Sequence, residues 1–415
     1  MAGNGGRTIL TISVLRLAPH FFRAGNWPVA YDPVGGMQNQ VWQLARALDE
    51  AGIAQTIVTT YIPGSERSFS LFDRARVRGV GFYLPEFLAP QLLNLTWFLA
   101  LIPFLLCHLK SHHIVHIHLN HSIWCRLLAF VVKLSGTPLV ISLNVSLVSD
   151  GERAEAPSSM APAQWLEKWA LAAADRVVAL TRRQSDTVCR LIPGKLAHVR
   201  IIPDSIDAVS FGQPVEPAAV EDFRIRCNIP AGAKIVSYIG RISEEKGWRE
   251  LPVFVERLSR EGVFVLICGD GPCRRHLENK LRNAVPDGHW HVTGFVPRSD
   301  VKAALRISDL VLLPSRREAF GSILLEAMAS GVPAVAYRVG GIADVAGDPN
   351  AVVLVPPRDT EAFVKTVLEM LSRRDLCQLF ARRGEERVRA FSVQEARDAL
   401  IHLYRGLALS GAGAE

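Results

Sequence analysis

A loop reading Ser315-Arg316-Arg317-Glu318-Ala319-Phe320-Gly321-Ser322 precedes an apolar stretch that carries Glu326. Its residue types suit an anion site with carboxylates beside it. The apolar run ending at Leu313 reads as a strand, and a helix is expected to start near Gly321. The first backbone N–H groups of a helix lack intrahelical partners, so Gly321 and Ser322 can receive a phosphate. Glu318 before the helix, and Glu326 about two turns on, suit the hydroxyls of a sugar and of a ribose. The plainer alternative is that Glu326 pairs within its helix and Glu318 is solvated.

A second stretch, Tyr238-Ile239-Gly240-Arg241-Ile242-Ser243-Glu244-Glu245-Lys246-Gly247, takes a strand into a loop with two cations. Arginine grips phosphate with two donors, and lysine adds a point charge. Together they can neutralise a diphosphate leaving group in place of a divalent metal. The chain contains no D-x-D triplet, so no metal is expected at this site. Gly269-Asp270-Gly271-Pro272, Gly294-Phe295 and Gly340-Gly341 each follow an apolar run; singly, each is equally a turn that needs glycine.

In the N-terminal half, Val34-Gly35-Gly36-Met37-Gln38 opens a helical pattern, and paired glycines there let a ligand approach the backbone. Six of the twelve histidines fall between His108 and His121. His116 and His118 alternate on a short strand and share a face. His118 and Asn120 are expected at a strand end facing a cleft. A metal site has no supporting carboxylate or cysteine spacing.

These residues need a frame to hold them. Short apolar runs alternate with amphipathic stretches along the whole chain, which predicts βαβ units and parallel sheets. The first series comprises strands at Thr8–Leu15, Ile53–Thr59, Ile114–His118, Pro138–Leu143, Val177–Leu180 and Val199–Ile202. Helices are expected at Gly36–Ala51 and Ser122–Leu134. The pattern breaks near Pro203-Asp204-Ser205, and a Pro/Glu/Ala-rich stretch, Gln213–Ala219, reads as a connection. It restarts with strands at Lys234–Ile239, Val263–Cys268, His289–Val292, Leu310–Leu313, Ala334–Tyr337 and Val352–Val355. The expectation is an α/β chain of two Rossmann-like doubly wound domains facing a central cleft, with ligands at the carboxyl ends of the strands. Residues 1–205 form the first domain and 206–391 the second. Residues 392–415 form a C-terminal helix that can pack back on the first.

Composition narrows the class. A chain of 415 residues, 49% hydrophobic and 21% charged, suits two globular domains. The net charge is +7, and residues 1–205 hold 19 Lys+Arg against 13 Asp+Glu. No basic stripe interleaves with aromatics, so nucleic acid is not an expected partner. Seven cysteines without C-x-x-C spacing, and no signal-peptide pattern, fit a reduced, cytoplasmic setting. Leu92–Cys107 is apolar but short for a membrane span and holds Pro103, so a buried helix is expected and membrane contact is not favoured. Oligomeric state is not legible.

Taken together, Gly240-Arg241 with Lys246-Gly247, Gly269-Asp270-Gly271-Pro272, Gly294-Phe295, Glu318-Ala319-Phe320-Gly321 with Glu326, Ala329-Ser330-Gly331-Val332-Pro333 and Gly340-Gly341 resemble the family 4 glycosyltransferases of the GT-B fold. The resemblance implies a retaining, UDP-sugar-dependent transferase without a metal or other cofactor. It implies Arg241 and Lys246 at the diphosphate, Glu318 at donor-sugar hydroxyls and Glu326 at the ribose. Gly240, Gly294, Phe320, Gly321 and Ser322 complete the donor site, with Gly35 and Gly36 across the cleft. Glu318, Arg241, Lys246 and His118 are the implied catalytic set. Many relatives carry T-x-H at the end of the next strand; here Asn144 stands there, which cannot carry a proton charge. Asp204-Ser205 likewise stands where relatives often have Asn-Gly.

A narrower resemblance lies in Leu15-Arg16-Leu17-Ala18-Pro19-His20-Phe21-Phe22, Trp27-Pro28, Tyr31-Asp32, the Gly35-Gly36 turn, Pro203-Asp204-Ser205 and Lys246-Gly247-Trp248-Arg249. These look like the aminoglycoside-antibiotic glycosyltransferases of actinomycetes. The implied reaction moves a glucose- or N-acetylglucosamine-type hexosyl group to 2-deoxystreptamine, a small aminocyclitol. Asp32, Gln38, Asn120, Asn144 and Asp150 are the implied acceptor residues. The alternatives are a pseudodisaccharide acceptor such as paromamine, or a lipid or polysaccharide acceptor at a membrane.

Overall fold

Continuous apolar runs such as VFVLIC and LVLL form strands covered on both faces, which is what parallel strands flanked by helices require. The computed structural model describes residues 12–19, 21, 36–61, 66–81, 90–119, 123–144, 161–194 and 196–412. Among them lie two sheets. The first contains β1 (Ser13–Leu17), β2 (Ala54–Thr60), β3 (Ser68–Ser70), β4 (Ala75–Val80), β5 (Ile114–His118), β6 (Leu139–Ser142), β7 (Arg176–Ala179) and β8 (Val199–Ile201). Its strand order is β3-β4-β2-β1-β5-β6-β7-β8, parallel except for β3. The second contains β9 (Lys234–Ile239), β10 (Val263–Cys268), β11 (Trp290–Gly294), β12 (Leu310–Leu313), β13 (Ala334–Tyr337) and β14 (Val353–Val355). Its order is β11-β10-β9-β12-β13-β14, all parallel. Each order reverses once, between β1 and β5 and between β9 and β12. Crevices at the carboxyl ends of the strands open at such reversals.

The strand series read from the sequence is present, with ends shifted by a few residues. The first strand begins at Ser13 and runs to Leu17, and residues 8–11 lie outside the described ones. β3 and β4 have no counterpart in the sequence reading. Arg76 and Arg78 interrupt β4, and they point outward while Ala75 and Val77 are buried. The apolar segment expected at Leu92–Cys107 is a helix, Pro90–His108, that buries Trp97, Leu101 and Leu105. Among the described residues no helix is long and apolar enough to cross a membrane.

Between the sheets the chain makes two short helices, Ala208–Gly212 and Pro217–Arg226, which insert Phe211 and Phe223 into the core of the second sheet. The last helix, Val393–Ala412, returns to the first sheet. Its Leu400, Leu403, Tyr404 and Leu407 pack with Val14, Leu44, Leu48 and Ile114. The two halves are thus joined at residues 202–207 and again by this helix.

The helices Ile123–Leu134 and Ala161–Ala173 are held by a fully buried ion pair, Arg126 to Glu167 at 2.6 Å. Removing one partner of such a pair strands a charge in the interior. Glu167→Ala is expected to lower unfolding free energy by about 3–5 kcal/mol in denaturant titration, leaving the second sheet's core unchanged.

Candidate functional site

Three βα loops of the second sheet converge on Glu318. β12 ends at Leu313, and the loop from Pro314 to Gly321 leads into the helix Ser322–Ala329, with Gly321 at φ 89°, ψ 54°. Two glycines from other loops fix its path. A Cβ on Gly340 (φ +50°) would lie 1.7 Å from the Glu318 carbonyl oxygen, and one on Gly247 (φ +76°) would lie 1.9 Å from that of Pro314. The Gly341 amide donates to the Glu318 carbonyl at 3.1 Å, and the Arg316 and Arg317 amides donate to that of Glu245. Gly240 donates to the Cys268 carbonyl, and Gly294 ends β11 beside Gly269. These glycines hold the turns against one another. Phe320 is likewise structural on its side-chain side: it is buried, with its ring edge-on to Phe391, so only its backbone is available to a donor.

Lys246 donates to Glu318 Oε2 at 2.5 Å, and Ser315 Oγ donates to the same oxygen at 3.2 Å. The expected diphosphate lysine and sugar carboxylate are therefore in contact. Arg316 forks onto Glu250 Oε1 at 2.9 and 3.0 Å, holding the loop from behind. Arg241 is exposed on its loop; burial raises the nearby Glu245 carboxyl, but the Ser243 and backbone hydrogen bonds, with the Arg241 and Lys246 charges, hold it below its ordinary value. Beside Glu318 opens a crevice of about 420 Å³, lined by Arg316, Arg317 and Arg338 of one half and Arg183 of the other. Arg183, Arg317 and Arg338 are exposed. Asp344 bridges the halves by accepting the Arg183 amide at 2.9 Å. A cation-rich crevice with one carboxylate held by lysine suits a diphosphate-linked sugar.

The opposite wall is the start of the helix Gly36–Glu50. A Cβ on Gly36 would stand 3.1 Å from Ser322 Oγ, so the two helix starts face each other at close range. Ser322 Oγ donates to Asp204 Oδ2 at 2.9 Å. Ser205 and Gln40 exchange two hydrogen bonds, 2.9 and 3.0 Å, clamping the inter-sheet crossing to the first helix. Glu326 lines a small pocket there with Gly36, Gln40, Ser205 and Ser322. Burial pushes its carboxyl up to about 7. Asp204 is also pushed up to about 7, by burial first and then by the nearby Glu318 charge, against the Ser322 hydrogen bond. Its Oδ1 is buried without a partner. A protonated Asp204 matches the shape and neutrality of the asparagine often found there in family 4 sequences.

His118 corrects the sequence reading. It is buried on β5, with Nε2 facing Arg16 at 3.1 and 3.3 Å and Nδ1 facing Asn144 Oδ1 at 3.2 Å. Burial, then the Arg16 charge, hold it well below the ordinary histidine pKa. Both ring nitrogens are engaged inside the protein, so His118 holds Asn144 rather than carrying a proton to substrate. His116 stacks on it and bonds Tyr404 and Ser142 at 2.6 and 2.7 Å, so the two rings form no metal pair. No three His, Cys, Asp or Glu among the described residues are grouped to hold a metal. Gln38 sits in the first turn of its helix, half-buried. Asp32, Gly35, Asn120 and Asp150 lie outside the described residues.

The sequence reading missed Arg16, Gln40, Ser205 and the arginines of the crevice. A charge inside the buried strand SVLRL was the one available signal, because buried arginine must be satisfied locally.

Comparisons with known proteins fall along these two halves. Residues 34–209 match the family model described as "Glycosyltransferase Family 4", and residues 220–387 match "Glycosyl transferases group 1". The chain is 33% identical over 369 residues to the 2-deoxystreptamine N-acetyl-D-glucosaminyltransferase of Streptomyces fradiae, covering 85% of this chain and 86% of that one. It is 28% identical over 351 residues to the 2-deoxystreptamine glucosyltransferase of Streptomyces kanamyceticus, covering 81% and 89%. Among solved structures, sucrose-phosphate synthase from Thermosynechococcus elongatus superposes with a TM-score of 0.80 at 22% identity, covering 96% of this chain and all (100%) of that one. The HepE protein of Anabaena in complex with UDP-glucose superposes at 0.72 with 15% identity, covering 95% and 100%.

Asp204 yields a pH dependence. Its folded pKa, about 7, exceeds its unfolded value of 3.8, so the folded chain binds this proton more tightly. The stability tied to it is full below pH 3.8 and is lost as pH rises through 7. Asp204→Asn should flatten the fall in melting temperature between pH 5 and 8, about 1.4 kcal/mol per unit at its steepest for one group. An unchanged slope in calorimetry would remove the assignment.

Proposed function

The chain belongs to the family 4 glycosyltransferases, and we propose that it moves a glucose- or N-acetylglucosamine-type hexosyl group from a UDP-sugar to 2-deoxystreptamine, with retention and without a metal. The observation that carries this reading is the Lys246–Glu318 contact at the mouth of an arginine-lined crevice, beside the free N–H groups of the Ser322 helix. The acceptor is supported by the 33% identity to a 2-deoxystreptamine transferase over 85% of the chain.

On this reading the donor diphosphate lies at the start of the Ser322 helix, at the mouth of the arginine-lined crevice beside Glu318. Lys246 and Arg241 turn toward it, which frees Glu318 for the sugar hydroxyls. The ribose lies toward Glu326, whose raised pKa lets it donate as well as accept near neutral pH. The anomeric C–O bond to the diphosphate breaks, and the acceptor oxygen bonds to the anomeric carbon on the same face. The departing phosphate oxygen takes the acceptor's hydroxyl proton, so UDP leaves protonated and the glycoside is neutral at the new bond. The two cations stabilise the charge that builds on the diphosphate, so the step asks for no divalent ion.

Two outcomes test the reading. Glu318→Ala should lower kcat/KM for transfer at least about tenfold, the scale of one lost hydrogen bond to a charged group, while circular dichroism stays native. Unchanged turnover would end its role at the sugar. Mass spectrometry with UDP-glucose or UDP-N-acetylglucosamine and 2-deoxystreptamine should show a product of unchanged yield in EDTA; an absolute magnesium requirement would overturn the metal-free step.

A further inference from the structure

Among the described residues the buried guanidinium of Arg16 has no carboxylate partner. Its donors go to the Val41 carbonyl at 3.4 Å, to Gln55 Oε1 at 3.1 Å and, as a fork, to His118 Nε2 at 3.1 and 3.3 Å. Gln55 is fixed in turn by donating Nε2 to the Ala45 carbonyl at 2.8 Å, which leaves its Oε1 facing Arg16. Arginine is protonated at every working pH and has no acceptor atom. His118 Nε2 must therefore be the bare, accepting nitrogen, and the proton of the neutral ring must sit on Nδ1. That N–H faces Asn144 Oδ1, so the carbonyl of Asn144 is spent on His118 and its NH2 is the end left to donate elsewhere. The hydrogen positions of an amide and an imidazole are usually open to choice. Here one permanent cation fixes all three.

We propose that Arg16 and His118 are positioning residues that make Asn144 a donor-only contact at the end of β6, selecting a hydroxyl oxygen of the acceptor and turning away its ammonium groups. Among the described residues the Asn144 Nδ2 has no hydrogen-bond partner, and nothing in the relay lets it accept one. An aminocyclitol offers both hydroxyls and ammonium groups around a ring of nearly uniform shape. A group that can only donate pairs with the first and opposes the second. The inference rests on the proposed acceptor for its substrate arm, while the polarity of the relay stands on geometry alone.

The test has one arm for each. Nitrogen NMR of the His118 ring should show a protonated Nδ1 and a bare Nε2 from pH 5 to 8; an Nε2–H tautomer, or a cation within that range, overturns the relay whatever the substrate. Kinetics with UDP-N-acetylglucosamine and 2-deoxystreptamine then read the contact. N144D presents carboxylate oxygens where the NH2 stood, and should lower kcat/KM for the acceptor about tenfold with donor KM unchanged. N144H can accept from His118 through one ring nitrogen and donate with the other, and should keep activity within about threefold of the native chain. A fully active N144D, an N144H as impaired as N144D, or a loss confined to donor KM would overturn the contact. No transfer by the native chain to 2-deoxystreptamine would instead sink the proposed acceptor, leaving the NMR arm to decide the relay.

Discussion

The cleft depends on a contact that leaves no space for a side chain. The backbone of Gly340 lies so close to the Glu318 carbonyl that any Cβ would fall within bonding distance, and Gly247 meets Pro314 in the same way. Loops on a sheet edge are ordinarily free to vary. Here three of them are pressed into one layer, so the backbones that carry Glu318, Lys246 and the start of the Ser322 helix are set against one another while the side chains stay free to turn. Binding energy then need not be spent on ordering the loops.

Charge is sorted on this frame with equal economy. Lys246 rests on Glu318, Arg316 on Glu250, and the acids nearest the anion site, Asp204 and Glu326, are pushed toward neutrality by burial. A carboxylate at Asp204 would sit one hydroxyl away from the helix start that faces Gly36. Its raised pKa lessens that charge near neutral pH, so the positive end of the helix dipole is less cancelled. The exposed arginines of the crevice add to that field from both halves.

Much of this was legible in the sequence, and the reason is local. Strand and helix alternation follows from periodicity, and Glu318, Lys246, Arg241 and Ser322 stand next to glycines that mark βα turns. What the glycines do was not legible: several serve other loops rather than a ligand, and that is a fact of strands distant in sequence. β4 escaped because its outward arginines break the apolar run. His118 was misread for a related reason. Its position at a strand end is visible in the sequence, but Arg16, about a hundred residues earlier in the chain, is what occupies its ring.

For the proposed acceptor, the order of arrival follows from charge. A polycation approaching the empty cleft meets Arg183, Arg317 and Arg338, with Glu318 already engaged by Lys246. The same cation approaching after a diphosphate meets a site whose positive charge is satisfied and whose Glu318 is released to the sugar. Donor first is thus the electrostatically open path. In the proposed relay Arg16 is sealed behind His118, so the charge that sets the polarity of Asn144 stays buried and the group offered to the acceptor is a neutral amide.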